Sequence, residues 1–111
     1  MPLISIETNQ ELAGEDILKE VSQGIAAMLN KPQEYVMVKY QHNPNMLFAG
    51  DNQPLAYLQL KSLGLPEHKT PQFTMSLCNL MQIHFDVTPE RVYIEYSSPA
   101  RHFWGWNNST F

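Results

Sequence analysis

The apolar positions follow two periodicities, and their order predicts a strand, a helix and a strand, twice over. Residues 3–7 form a short β-branched run that is typical of a strand. Apolar side chains then recur at helical spacing between Ile17 and Leu29, and Pro32 ends that helix. Further strands are predicted at 35–42, 55–63 and 91–97. A second helix is predicted to begin at Pro71 and to carry a stripe at positions 73, 77, 80, 81 and 84.

An internal repeat supports this order. Val36 aligns with Val92, an offset of 92 − 36 = 56 residues. The same offset pairs these helical positions and strand positions: Ile17 with Phe73, Val21 with Leu77, Ile25 with Met81, Pro2 with Leu58, and Ile4 with Leu60. The repeat units span about 2–42 and 55–97, and a tail occupies 98–111.

Each strand–helix–strand unit favours two parallel strands joined by a right-handed crossover helix. We therefore predict a single α+β domain over residues 1–111. It is a two-layer α/β sandwich in which two β-α-β units form one four-stranded mixed sheet, with both helices on one face.

The opposite face of such a sheet needs cover. It would include Leu3 or Ile4, Met37 or Val38, and Tyr93 or Ile94, depending on register. A largely apolar face predicts an oligomer whose sheets pack inward against one another. Two arrangements of the aromatic tail stay open: it adds to a neighbouring subunit's sheet edge, or it folds back over its own sheet in a monomer.

Composition excludes several classes of protein. The net charge is −4 and the basic residues do not cluster, which argues against nucleic acid as a partner. Cys78 is the only cysteine, so no internal disulfide can form. The four histidines have no metal-ligand spacing, and we expect no metal. The absence of a signal-peptide pattern or a long apolar run favours a soluble cytoplasmic protein without a membrane partner.

Five segments in order carry a resemblance that runs over essentially the whole chain. They are MPLI at 1–4, NKPQEYV at 30–36, KSLG at 61–64, RVYIEY at 91–96 and GWNNSTF at 105–111. Together they resemble the macrophage migration inhibitory factor and D-dopachrome tautomerase family of the tautomerase superfamily.

The resemblance implies a homotrimer with active sites between neighbouring subunits. It implies cofactor-free keto–enol tautomerisation of small aromatic keto acids such as phenylpyruvate, or of dopachrome-like substrates. The alternative is a cytokine-like signalling or binding protein with weak or vestigial activity. That role would need a receptor partner and non-classical secretion.

Pro2 is the implied catalytic base. If Met1 is removed, Pro2 carries a secondary amine, and an α-amino group titrates near pH 8. Burial and nearby cations lower that pKa further, so the neutral amine can accept a proton and the ammonium can return it. If Met1 is retained, the Pro2 nitrogen is an amide and the pocket is silent.

Other site residues follow from the resemblance. Lys31 matches the lysine that binds the substrate carboxylate, although a solvated lysine after a helix would complement the helix dipole equally well. Ser62 and Leu63 lie at the substrate-contacting turn. Tyr93 matches a pocket tyrosine able to stabilise enolate charge, or it packs in the sheet. The implied apolar walls are Tyr35, Trp106 and Phe111.

Two positions depart from the family pattern. Glu95 stands where the best-known member has asparagine, and a carboxylate there would repel an anionic substrate and raise the pKa of the Pro2 amine. We expect weaker or redirected activity from it. Leu55 and Leu58 stand where that member has a Cys-x-x-Cys motif, so no thiol-oxidoreductase activity is expected.

Overall fold

The computed structural model describes all residues from 1 to 111. The main elements in chain order are β1 (Leu3–Thr8), α1 (Ile17–Leu29), β2 (Met37–His42), β3 (Ala56–Lys61), α2 (Thr70–Phe85) and β4 (Val92–Ser97). Two short strands, β5 (Gly105–Trp106) and β6 (Ser109–Thr110), form a hairpin in the tail. Tyr35 and Arg91, predicted as strand residues, instead belong to single 3₁₀ turns at Gln33–Tyr35 and Pro89–Arg91.

The sheet confirms the predicted architecture. Its strand order is β2-β1-β3-β4. Within each repeat unit the two strands are parallel, whereas β1 and β3 are antiparallel where the units meet. Two β-α-β units therefore merge into one mixed sheet, as the doubled pattern predicted.

The strand register corrects the predicted repeat offset. Ile4 pairs with Val38 in the first unit, and Leu58 pairs with Ile94 in the second. The offset is 94 − 38 = 56 for the second strands but only 58 − 4 = 54 for the first strands. The structural equivalent of Ile4 is therefore Leu58, not Leu60. Because the error is an even number of residues, Leu58 and Leu60 still lie on the same face of the sheet as Ile4.

The core lies between the two helices and one face of the sheet. Its main side chains are Ile4, Ile6, Val21, Ile25, Leu58, Leu60, Leu77, Met81 and Phe85, all buried. Thr8 is the buried polar exception in β1. Its hydroxyl donates to the Leu55 carbonyl at 2.7 Å and accepts the Gln10 N–H at 3.2 Å, so its burial leaves no unmade hydrogen bond.

The helices approach each other closely at Gly24. A Cβ at this position would lie 3.0 Å from a methyl carbon of Leu80 in α2, tighter than ordinary packing. Each helix ends in a left-handed residue, Asn30 after α1 and Asp86 after α2. Neither helix combines the length and the apolar composition needed to cross a bilayer.

The helix-free face of the sheet is the alternate set of strand positions, and we call it the open face. It is lined by Leu3, Ser5 and Glu7 from β1; Met37, Lys39 and Gln41 from β2; Tyr57, Gln59 and Lys61 from β3; and Tyr93, Glu95 and Ser97 from β4. The expectation of a largely apolar face is wrong, because most of these side chains are polar. Alternation within each strand places the aliphatic residues toward the helices.

Candidate active site

Pro2 lies at the edge of a cavity of about 240 Å³, which we call the Pro2 cavity. It is lined by Met1, Pro2, Leu3, Glu34, Tyr35, Val36, Met37, Trp104, Gly105 and Trp106. Pro2 is fully buried, and its carbonyl accepts the Met37 N–H at 3.0 Å. That hydrogen bond extends the β1–β2 pairing to the start of the chain, so the sheet itself holds Pro2 in place.

Three aromatic side chains form one wall of this region. The Tyr35 ring meets Trp106 edge to face, with centroids 5.8 Å apart, and Trp106 stacks on Phe111 at 6.3 Å. The Phe111 N–H donates to the Trp104 carbonyl at 3.1 Å. The tail hairpin therefore brings residues from both ends of the chain together. Of the three predicted wall residues, Tyr35 and Trp106 line the Pro2 cavity and Phe111 supports Trp106 from behind.

The chain-terminal amine next to this cavity has a perturbed pKa. In the chain that begins at Met1, the pKa of the amine is below its ordinary value, chiefly because partial burial disfavours the ammonium. The positive charge of Lys31 lowers the pKa further. Both effects favour the neutral amine, which is the form able to accept a proton.

Lys31, Ser62 and Leu63 come together in a second cavity of about 290 Å³, the Lys31 cavity. Its other lining residues are Met28, Leu29, Asn30, Gly64, Leu65, Pro66, Lys69 and Phe73. Gly64 has a φ of 62°, a left-handed conformation that glycine adopts without strain. The turn after β3 thereby faces the residues that follow α1, and the charge of Lys31 also reaches the terminal amine beside the Pro2 cavity.

Tyr93 and Glu95 are not brought to either cavity within one chain. Both lie on the open face in β4, and Tyr93 is 67% exposed. The predicted site residues thus form two groups, one around the two cavities and one on the open face. The fold of a single chain does not join them.

The carboxylate of Glu95 is held by two neutral donors. Its Oε1 accepts hydrogen bonds from the Tyr57 hydroxyl and from Gln59 Nε2, each at 2.9 Å. Both hydrogen bonds lower the pKa of Glu95, and the bond from Gln59 has the larger effect. The carboxylate is therefore a fixed negative charge near neutral pH. The same carboxylate raises the pKa of Tyr57, chiefly because ionising the phenol would break the hydrogen bond that it donates to Glu95.

Tyr93 is positioned by a residue from the loop before β3. Its ring meets Phe48 edge to face with centroids 5.1 Å apart. The guanidinium of Arg91 lies over the ring of Phe48, 5.3 Å from its centroid. Arg91 also binds loop carbonyls, so the orientation of Tyr93 depends on the loop at 43–55.

Sequence reasoning missed four residues in these surroundings. Lys69 shares the Lys31 cavity, Tyr57 and Gln59 bind Glu95, and Phe48 packs on Tyr93. The alternation of β3 marks Tyr57 and Gln59 as neighbours on one face, but only the strand register places Glu95 opposite Gln59. No local pattern identifies Lys69 or Phe48.

Neither Cys78 nor any of the histidines lines the Pro2 cavity or the Lys31 cavity. Cys78 is buried on α2, and burial raises the pKa of its thiol, which disfavours the reactive thiolate. No three histidine, cysteine, aspartate or glutamate side chains converge as they would around a metal ion.

Comparison with known proteins gives a consistent result over the full chain. The model of the macrophage migration inhibitory factor family matches residues 1–111. Mouse macrophage migration inhibitory factor is 33% identical over 114 residues, covering 100% of this chain and 99% of its own. A homologue from Trichuris trichiura is 32% identical and is covered completely.

Solved structures agree with this match. A homologue of macrophage migration inhibitory factor from Prochlorococcus marinus superposes with a TM-score of 0.87 at 33% identity, with 98% of each chain covered. The factor from Trichinella spiralis superposes with a TM-score of 0.91, covering 98% of this chain and 99% of its own. At 24% identity that second likeness concerns the fold alone.

Proposed function

We propose that this chain, which belongs to the macrophage migration inhibitory factor family, is a cofactor-free keto–enol tautomerase whose base is Pro2 after removal of Met1. One observation carries the proposal: Pro2 is fully buried beside a cavity with aromatic walls, next to a terminal amine whose pKa is already lowered. Removing Met1 would move the amine to Pro2, where the same aromatic walls and the positive charge of Lys31 favour its neutral form.

The proposed reaction is a 1,3-proton shift. The neutral Pro2 amine removes a proton from the enol hydroxyl, electrons move to the adjacent carbon as the carbonyl forms, and the resulting ammonium returns the proton to that carbon. Lys31 attracts the substrate carboxylate and disfavours the ammonium of the resting enzyme. Tyr35 and Trp106 provide an apolar surface for an aromatic ring.

We further propose that the complete site forms in a homotrimer, in which a neighbouring subunit brings Tyr93 and Glu95 to the Pro2 cavity. The open face supports an assembly held by polar contacts rather than by apolar packing. It carries two positive side chains, Lys39 and Lys61, and two negative ones, Glu7 and Glu95. Opposite charges on one face can pair between copies of the same surface.

The test is the ultraviolet-monitored conversion of phenylpyruvate by protein whose mass shows that it begins at Pro2. The matched controls are Pro2→Gly, which replaces the secondary amine by a primary one, and a chain that retains Met1. We expect turnover in the first protein and a loss of at least about a hundredfold in the chain that retains Met1, the usual contribution of a general base. Pro2→Gly should lose less, because an α-amine remains at the same position. Equal turnover from the Met1-bearing chain would exclude Pro2 as the base.

A second candidate function is protein binding, with the trimer as scaffold. Its specific support is the outer face of α2, where Met75 and Ile83 are 75% and 65% exposed. Large apolar side chains at such exposure favour contact with another protein. Replacing both with glutamine would abolish a receptor interaction and leave tautomerisation unchanged, whereas retention of Met1 would do the reverse.

A further inference from the structure

The outer face of α2 carries no formally charged side chain. The helix contains no aspartate, glutamate, lysine or arginine, and its one histidine, His84, is 12% exposed and lies beside Glu20 of α1. The exposed positions from the second turn onward are Gln72, Met75, Ser76, Asn79, Gln82 and Ile83. A helix face that remains in water usually carries charges, whereas the centre of a protein interface is depleted of charge and enriched in methionine. The composition of this outer face therefore favours contact with another protein.

The side chains of this face are arranged symmetrically about Asn79. Met75 and Ile83 each lie four positions from Asn79, and Ser76 and Gln82 each lie three positions from it. In an antiparallel pair of α2 helices that cross at Asn79, position 75 of one copy lies opposite position 83 of the other, about 6 Å along the axis from the crossing point. Apolar side chains then meet apolar ones, and polar side chains meet polar ones. A two-fold contact between identical chains uses a self-complementary patch of this kind.

Grooves on both sides of α2 leave room for such a contact. One groove, of about 540 Å³, lies on the side of Pro89. The other, of about 370 Å³, lies between α1 and α2, where Gly24 and Ala27 present little side chain. Ser76 and Asn79 line both grooves and form a ridge between them. Because helices pack by placing the ridge of one in a groove of the other, this surface suits a second helix of the same shape.

We propose that the outer face of α2 binds the same face of a second copy of this chain in an antiparallel two-fold contact, with Met75 of each copy against Ile83 of the other. The partner is a second copy because the face matches itself and carries no charge that would repel an identical surface or select an oppositely charged one. The inference rests on the second candidate function and names its partner. The helices cover the side of the sheet opposite the open face, so the contact is compatible with the proposed homotrimer and would join two of them.

Sedimentation velocity of the purified chain tests this contact. A single helix pair is a small interface and therefore a weak one, so the protein concentration should reach about 1 mM. We expect the mass of the assembly to double toward that concentration. Met75→Glu and Ile83→Lys each weaken the association by at least about tenfold, because each substitution places a charge in both apolar contacts. Gln23→Glu, at an exposed position of α1 outside both grooves, is the matched control and leaves the association unchanged.

An equimolar mixture of the two α2 variants tests the antiparallel geometry. We expect this mixture to associate again, because the introduced glutamate faces the introduced lysine at one contact and Ile83 faces Met75 at the other. The association of the unaltered chain should not change when sodium chloride is raised from about 50 mM to about 500 mM, since no charged side chain takes part.

Three results would overturn the proposal. A mass that stays constant up to about 1 mM would exclude a second copy and assign the face to a protein of another sequence. A mixture that does not recover would exclude the antiparallel pairing. Weakening by salt would place the contact on a charged surface such as the open face. Because self-association is measured on the purified chain, its failure is distinct from a failure of receptor binding. Neither substituted position lines the Pro2 cavity, so turnover of phenylpyruvate by the same variants reports on the proposed reaction separately.

Discussion

Arg91 binds the loop between β2 and β3 to the start of β4. Replacing its side chain is the most informative perturbation of the open face, because this loop carries Phe48, which packs on Tyr93. Its Nε donates to the Pro54 carbonyl at 2.8 Å, and one terminal nitrogen donates to the Gln53 carbonyl at 3.0 Å. The same nitrogen forms an ion pair of 2.8 Å with Asp51. The guanidinium also contacts the ring of Phe48, which holds Tyr93.

The solvent exposures of Arg91 and Asp51 decide how much the ion pair contributes to stability compared with the hydrogen bonds. The Arg91 side chain is 14% exposed and that of Asp51 is 51% exposed, so the ion pair is open to solvent and contributes less than about 1 kcal/mol. Each hydrogen bond from a charged donor contributes about 1.5–3 kcal/mol. Two such bonds, discounted because the loop carbonyls can rehydrate, give a loss of about 2–3 kcal/mol for Arg91→Ala.

The assay is urea unfolding followed by tryptophan fluorescence at fixed protein concentration. Arg91→Ala should lower the free energy of unfolding by about 2–3 kcal/mol, and Arg91→Lys by roughly half of that, because one ammonium cannot span both carbonyls. Asp51→Asn keeps the acceptor oxygen that binds the Gln53 N–H and should cost less than about 1 kcal/mol. Equal costs for Arg91→Ala and Asp51→Asn would refute the reasoning, since the ion pair would then dominate.

Three further predictions concern the site. Glu95→Asn should raise turnover of phenylpyruvate several-fold, because a fixed negative charge no longer repels the substrate; unchanged turnover would remove Glu95 from the site. In protein that begins at Pro2, activity should rise with pH as the amine loses its proton. Lys31→Ala should move that midpoint to higher pH, because losing the cation raises the pKa of the amine; a shift to lower pH in the pH–rate profile would contradict this. Cys78 should react with a disulfide reagent more than about tenfold more slowly in native than in urea-unfolded protein, and equal rates would show that its thiol is accessible.

The fold was predictable because its signals are local and repeated. Two helical stripes and four short strand-like runs are separated by proline and glycine, and the doubled pattern limits the topology to paired β-α-β units. Element ends were less predictable. Tyr35 and Arg91 have side chains that suit a strand, but each lies in a 3₁₀ turn that follows or contains a proline.

The candidate site was predictable only in part. The resemblance predicted Pro2, Lys31 and the turn at Ser62 and Leu63 as site residues, and the fold places each of them in the lining of one of two cavities. It gave no sign of Lys69, because nothing in the local sequence indicates that the start of α2 lies beside the end of α1. That proximity depends on how both helices pack on the sheet.

The sequence by itself determined the periodicities, and therefore which elements form. Strand register and helix packing, which depend on contacts far apart in the chain, were decided only by the tertiary structure. It shifted the repeat offset of the first strands from 56 to 54 residues. It also made the open face polar, because alternation assigns a face to each side chain only once the register of its strand is set. The binding of Glu95 by Tyr57 and Gln59 follows from that register as well, because the residues are 38 and 36 positions apart in the chain.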